Sequence, residues 1–202
     1  MSRIDFPALD CILISLDLTQ SNGPEKLLNY TEKHLGMPSV LVNNATYSQP
    51  TPPEDFSEDE LDRHYQLNMR ATTLLTLGFA KRFERSRQLA GAIINLTSGQ
   101  SLGPMPDELA YAMTKSAIET LTRTLAARLM QKGITLNAVN PGPVDTGWME
   151  PSFKAQLSRR FPGGSVGQPE DVAALIAFLA GPASRWVTGQ VIHAEGGFNR
   201  YF

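Results

Sequence analysis

Apolar positions fall along this chain in two alternating rhythms. Short continuous apolar runs at residues 11–16, 39–42, 92–96, 134–139 and 190–194 predict buried strands. Between them the spacing turns helical. Residues 25–35 carry Leu27, Leu28 and Leu35 on one side, with Gly36 as the stop. Ser57 with Glu60 three positions on forms a capping-box pattern that opens a helix running to about residue 84. A long helix is predicted over 108–131. Another covers 169–180, with Pro169 in its first turn and Gly181 at its end. Strands apolar on both faces that alternate with helices predict an α/β fold, a mostly parallel sheet covered by helices. Residues 146–168 break the rhythm. They are long for a connection, carry Trp148, Met149, Phe153 and Phe161, and predict a binding loop or lid.

Composition narrows the classes. At about 150 residues per domain, 202 residues without repeat or linker predict a single domain over 1–202. Lys plus Arg is 18 and Asp plus Glu is 20, a net charge of −2, which argues against a nucleic-acid partner. The single cysteine, Cys11, excludes an internal disulfide, and His34, His64 and His193 lack ligand spacing, so no metal is expected. The longest apolar run, 172–180, is far short of the ~20 residues a bilayer span needs. Asp5, Pro7 and Asp10 interrupt what a signal peptide would keep apolar. A soluble cytoplasmic protein without a membrane partner is the expectation.

The chemistry should sit at the carboxyl ends of the strands, where open parallel sheets bind ligands. Asp17, Asn43-Asn44-Ala45, Thr97-Ser98 and Asn140-Pro141-Gly142 close the first four strands. Each alone is an ordinary turn residue; four such closures converge on one edge. Tyr111 and Lys115 stand four apart on the long helix, hence on one face. An ammonium near a phenol favours the phenolate, so the pair can serve as an acid/base couple. Ser98 lies thirteen residues before Tyr111 and is not in a GxSxG elbow, which disfavours a hydrolase nucleophile. Asn68 sits inside a predicted helix, where its propensity is poor, and is read as a polar group aimed at the strand ends.

Asn43-Asn44-Ala45, Asn68, Ser98, Tyr111-Ala-Met-Thr-Lys115 and Asn140-Pro-Gly-Pro-Val-Asp-Thr146, in that order, resemble the short-chain dehydrogenase/reductase family. The closing Gln190-Val-Ile-His-Ala-Glu-Gly-Gly197 resembles its last strand and the glycines that follow. The chain is most similar to the classical type, near 3-oxoacyl-carrier-protein reductases. The resemblance implies a Rossmann-like doubly wound parallel sheet and hydride exchange between NADP or NAD and a small carbonyl or alcohol. Tyr111 would be the acid/base and Lys115 would lower its pKa and hold the nicotinamide ribose. Ser98 would steady the substrate oxygen and Asn68 a relay water. Asp17 would meet the adenine and Asn44 and Ala45 the adjoining ribose. Pro141, Gly142, Val144 and Thr146 would line the nicotinamide side. Trp148, Met149 and Phe153 would face the substrate, the alternative being that they pack the lid onto the body. Relatives of this type are commonly homodimers or homotetramers.

Two departures accompany the resemblance. Thr46 replaces the glycine usual after Asn-Asn-Ala. The family's opening GxxxGxG, which cradles the pyrophosphate, is absent; Gly99-Gln-Ser-Leu-Gly103 is the nearest string, with Met105 in place of the third glycine. The expected sheet is therefore N-terminally shortened. The 11–16 strand should then either pair directly with 39–42 or be loosely held. A non-catalytic scaffold that has lost cofactor binding is the competing reading.

Overall fold

A computed structural model describes residues 11–86 and 90–201; the stretch 1–10 used in the signal-peptide argument lies outside them. Four of the five predicted strands form one parallel sheet: β1 (Val40–Asn43), β2 (Gly91–Leu96), β3 (Ile134–Asn140) and β4 (Val191–His193), adjacent in that order. Val40 stands opposite Ala92, Asn43 opposite Asn95, Leu96 opposite Val139 and Asn140 opposite His193. This register brings the polar strand ends to one edge. β2 and β3 are buried along their whole length, as their continuous apolar runs require.

Alternate residues of the strands feed two cores. On one face Ile93, Ile134 and Leu136 meet Leu28 of α1 (Gly23–Leu35), Leu75, Phe79 and Phe83 of α3 (Thr72–Ser86), and Ala126 and Leu129 of α4 (Leu109–Met130). On the other, Ala92, Ile94, Leu96 and Val139 meet Val172 and Leu179 of α6 (Pro169–Ala180). The sheet is therefore wound on both faces, the Rossmann-like arrangement. Among the described residues no helix is long and apolar enough to cross a membrane.

Two expectations need correction. Residues 11–16 form no strand, and pairing with β1 does not occur. Ile12, Leu13 and Ile14 are 43%, 71% and 39% exposed, and β1 has no second neighbour among the described residues. An apolar run becomes a buried strand only when ladders flank it, and no strand among the described residues flanks this one. The segment is tied down where it ends: Asp17 accepts from Thr19 N–H at 2.8 Å, and Arg70 donates to the Thr19 carbonyl.

The helix predicted from Ser57 is not continuous. The Ser57 hydroxyl does cap α2 (Glu58–His64), accepting from Glu60 N–H at 3.2 Å. A π-helical stretch, Tyr65–Ala71, then separates α2 from α3. Asn68 lies inside it, and its side chain bonds to groups outside the helix, which favours local distortion. The predicted lid, 146–168, holds a short helix of its own, α5 (Pro151–Ser158).

Phe79 is fully buried and stacked on Phe83 at 5.7 Å. Phe79→Ala should lower the unfolding free energy in urea by about 3–5 kcal/mol. Leu13→Ser should change it by no more than about 0.5 kcal/mol, the range of surface substitutions. A large loss at Leu13 would mean that the 11–16 segment is packed after all.

Candidate active site

At the carboxyl edge of the sheet opens a cavity of about 460 Å³. Val42 and Asn44 line it from the end of β1, Leu96 and Thr97 from the end of β2, and Tyr111 and Lys115 from α4. Pro141, Val144 and Thr146 come from the loop after β3, and Val172 and Ile176 of α6 form an apolar wall. Distant parts of the chain build it. The first turn of α4 has no cap of its own; Thr51, from the proline-rich loop, accepts Ala110 N–H at 3.0 Å and so holds the turn that carries Tyr111.

Lys115 is buried to 4% exposure and donates from Nζ to the Leu96 carbonyl at 2.8 Å. Burial penalises its charge and brings its pKa from the usual 10.5 down to about 8. Its Nζ lies 5.5 Å from the centroid of the Tyr111 ring. Tyr111 moves the other way from the expectation. Burial pushes its phenol above 10, and hydrogen bonds from Ser98 and Thr46 only partly offset this. The ammonium sits over the ring face and is held by a carbonyl, so here it is not what sets the phenol's pKa.

Asn68 is buried, with every polar position used. Its Oδ1 accepts from Tyr47 N–H at 2.7 Å and Thr46 Oγ1 at 3.0 Å; its Nδ2 donates to Tyr47 O at 2.8 Å and Thr114 Oγ1 at 3.2 Å. An amide makes four such bonds, so the side chain has no position left for the relay water. It clamps the Thr46–Tyr47 backbone to the π-helical stretch and to α4.

The remaining expected residues divide. Asn44, Pro141, Val144 and Thr146 reach the cavity; Ala45, Asp17 and Gly142 are not among its lining. Asp17 is spent on its own turn, held below the usual carboxylate pKa by the Thr19 and Gln20 side chains. Gly142 serves the backbone. Its φ is +64°, and a Cβ there would come within 2.9 Å of Glu195 Cγ. In the lid, Met149 is buried with Phe161 and Val166 in a satellite core, so packing is its role. Trp148 and Phe153 pair at 5.8 Å, exposed, with Trp148 Nε1–H donating to the Val144 carbonyl at 3.2 Å.

Three residues of this neighbourhood were not singled out by the sequence as functional. Thr46 lines the cavity and touches Tyr111. His64, fully buried, donates from Nδ1 to the Glu60 carbonyl at 2.8 Å and accepts Gln49 N–H at 3.3 Å, with Tyr47 edge-on at 4.7 Å. Its ring stands 6.5 Å from that of Tyr111, as part of the wall behind it. Glu119, 3% exposed, is a buried carboxylate one turn beyond Lys115. Only Glu119 left a signal, its four-residue spacing from Lys115.

Known proteins resemble this chain over most of its length. The family model described as Enoyl-(Acyl carrier protein) reductase matches residues 6–199. Among curated relatives, the Uncharacterized oxidoreductase YjdA of Bacillus subtilis (strain 168) is 47% identical over 190 residues, covering 94% of this chain and 76% of the relative. The NADPH-dependent aldehyde reductase-like protein, chloroplastic, of Arabidopsis thaliana is 32% identical, covering 93% and 71%. Among solved structures, a gluconate 5-dehydrogenase from Burkholderia cenocepacia J2315 in complex with NADP and tartrate superposes with a TM-score of 0.81 at 28% identity, over 90% of this chain and 72% of that one. Acetoin dehydrogenase YohF from Salmonella typhimurium gives 0.82 at 28% identity, over 94% and 77%.

The buried lysine gives a pH signature. Between pH 8 and 10 the unfolded chain still holds the Lys115 proton while the folded chain has shed it. Stability contributed at this position therefore rises with pH across that window. Tyr111 opposes this only above its ordinary value of 10, where the unfolded chain loses its proton first. Urea unfolding of wild type and Lys115→Met from pH 7 to 10 should show the difference moving in favour of wild type above pH 8. A constant difference would mean that Lys115 does not titrate there.

Proposed function

This chain belongs to the short-chain dehydrogenase/reductase family, and we propose that it moves a hydride between NADP or NAD and a small carbonyl or alcohol. The observation that carries the reading is the Tyr111 ring at the cavity, with the Nζ of the buried Lys115 5.5 Å from its centroid. A scaffold that had given up chemistry would have no need to keep an ammonium in a nearly dry site, so the non-catalytic alternative is not favoured.

The donor set fits the nicotinamide riboside end of the cofactor. Lys115, Tyr111, Asn44 and Thr146 offer one ammonium, two hydroxyls and an amide to ribose hydroxyls and a carboxamide, and Val144, Val172 and Ile176 give a flat ring an apolar wall. No GxxxGxG string occurs in the 202 residues, so no contact with the diphosphate is assigned. When bound, the nicotinamide supplies or accepts the hydride.

The residues of the chain handle the proton. Burial keeps the Tyr111 phenol protonated at neutral pH, so it stands ready as the acid for reduction. It gives its proton to the substrate oxygen while the Ser98 hydroxyl donates to the same oxygen; in oxidation it takes the proton back. The phenolate this leaves is stabilised by nearby positive charge. Lys115, already within 5.5 Å of the ring, adds a positive charge on the same side. Asn68 accepts the one Thr46 hydroxyl proton at 3.0 Å and fixes that side chain at the cavity wall. The Trp148–Phe153 pair, tethered to the cavity wall through Val144, is the apolar surface of the lid that a substrate would meet.

NADPH or NADH oxidation at 340 nm with small ketones, aldehydes and a 3-oxoacyl thioester tests the reading. Tyr111→Phe should reduce turnover about 10²–10⁴-fold without loss of fold. Full activity in Tyr111→Phe would remove the mechanism.

We also propose a homodimer or homotetramer. Tyr65, Met69 and Met113 line an apolar groove on the helices that carry Asn68 and Tyr111, and Leu109 lies exposed nearby on α4. A charge there would be desolvated by a second copy, so Met113→Glu should shift the mass by light scattering toward one chain. A single-chain mass for wild type would overturn the assembly.

A further inference from the structure

Tyr111, Lys115 and Glu119 follow one another at four-residue steps on α4, and so share one face over about 12 Å of helix. Each reaches the same short stretch of chain at the end of β2. The Ser98 side chain acts on the Tyr111 phenol, lowering its pKa, and Lys115 Nζ donates to the Leu96 carbonyl. Glu119 Oε1 accepts from Gln100 Nε2 at 2.6 Å and Ser101 Oγ at 3.1 Å and shares the one Thr97 hydroxyl proton, at 3.3 Å, with the Lys115 carbonyl at 3.2 Å, while its Oε2 meets Arg123 at 3.3 Å. Glu119 thus grips the chain on both sides of Ser98.

Beside that grip, Tyr201 Oη donates to the Leu102 carbonyl at 3.0 Å and Gln100 Nε2 to Thr97 Oγ1 at 3.3 Å. Ser98 itself is extended and its side chain caps nothing. The 3-10 turn after it, Gly99–Ser101, closes on one backbone bond, Leu102 N–H to Gly99 O at 2.9 Å. Before it, Thr97 N–H to Val139 O at 2.8 Å is the last ladder bond. On its outer side Arg200 packs against Gly99, so closely that a Cβ at Gly99 would overlap it. Buried carboxylates accepting several hydrogen bonds are strong, directional anchors.

We propose that Glu119 is a positioning residue. It fixes the Ser98 hydroxyl against the Tyr111 phenol, so that one helix carries the acid/base, its lysine and the anchor of its serine partner. The inference rests on the reading of Tyr111 and Ser98 given above, but its test needs neither cofactor nor turnover.

The probe is the Cζ carbon signal of Tyr111 in chain labelled with ¹³C-tyrosine, assigned by its loss in Tyr111→Phe, at pH 7.5. Ser98→Ala removes the hydroxyl that acts on the phenol and should move this signal. Glu119→Ala should move it in the same direction, and Ser98→Ala combined with Glu119→Ala should move it no further. Glu119→Gln keeps an acceptor oxygen for Gln100 and Ser101 and should hold the signal near the wild-type position. Should Glu119→Ala not fold, Gln100→Ala with Ser101→Ala removes two of the three donors from the loop side and should reproduce the shift. An unmoved signal in both the Glu119→Ala and the loop variants, or a combined shift equal to the sum of the two single ones, would overturn the proposal. In the hydride assay Glu119→Ala should lower kcat as Ser98→Ala does while leaving the KM for the nicotinamide cofactor within about twofold. Absence of hydride transfer with the coupled shifts present would refute the proposed function and leave the positioning role standing.

Discussion

The site hangs on one buried contact, the hydrogen bond from Lys115 Nζ to the Leu96 carbonyl. An ammonium 4% exposed is expensive to bury, and a single carbonyl does not replace the water it has lost. The cost shows as a pKa drawn down to about 8. It is tolerated because α4 is docked on the sheet by Ile118, Ala126 and Leu129 and by the caps and clamps at its start, which leave the lysine nowhere else to go. Once the lysine is placed, Tyr111 one turn earlier and Glu119 one turn later are placed too.

Under the cavity the sheet is not wholly apolar. Asn43 donates to Asn95 at 2.8 Å, directly across the β1–β2 register, and Asn95 donates to Thr122 of α4 at 3.2 Å. Asn137 donates to Val187 O at 2.8 Å and accepts Gln190 N–H at 3.1 Å, which brings the approach to β4 against β3. A slip of one residue in any strand would bury these amides without partners, at about 1–3 kcal/mol each. The asparagines therefore select the register that aligns the strand ends, and that alignment makes the cavity. The same logic runs through Asn140, whose amide donates to Glu195 at 2.7 Å and accepts Gly142 N–H at 3.0 Å, shaping the loop that lines the cavity.

Helical distortion and loop anchoring complete the wall. The π-helical stretch turns Asn68 out of the helix toward Tyr47, and Asn68 in turn carries Thr46 to Tyr111. The chain positions the Tyr111 phenol by polar side chains from four separate segments, with the buried Asn68 at their centre. Such networks rigidify when complete and are costly when broken.

By itself the sequence determined the strands 39–42, 92–96, 134–139 and 190–194, since apolar runs flanked by turn residues and helical periods have few other solutions. It also determined the helix carrying Tyr111 and Lys115, and the meeting of Asn44, Ser98, Tyr111 and the Pro141–Thr146 loop at one edge, because parallel strands must end together. What needed the tertiary structure was whatever depends on a neighbour. Residues 11–16 have the composition of a strand but no ladder to join. Met149 and Trp148 look alike in a loop, yet one is packed under Phe161 and the other exposed. The direction of the Tyr111 pKa depended on burial outweighing its hydrogen bonds, a balance no spacing encodes. Glu119 reads as one more surface charge on a helix until the fold lays the Ser98 turn over it. Periodicity says which face a side chain shares; only packing says what that face meets, and whether water is left between them.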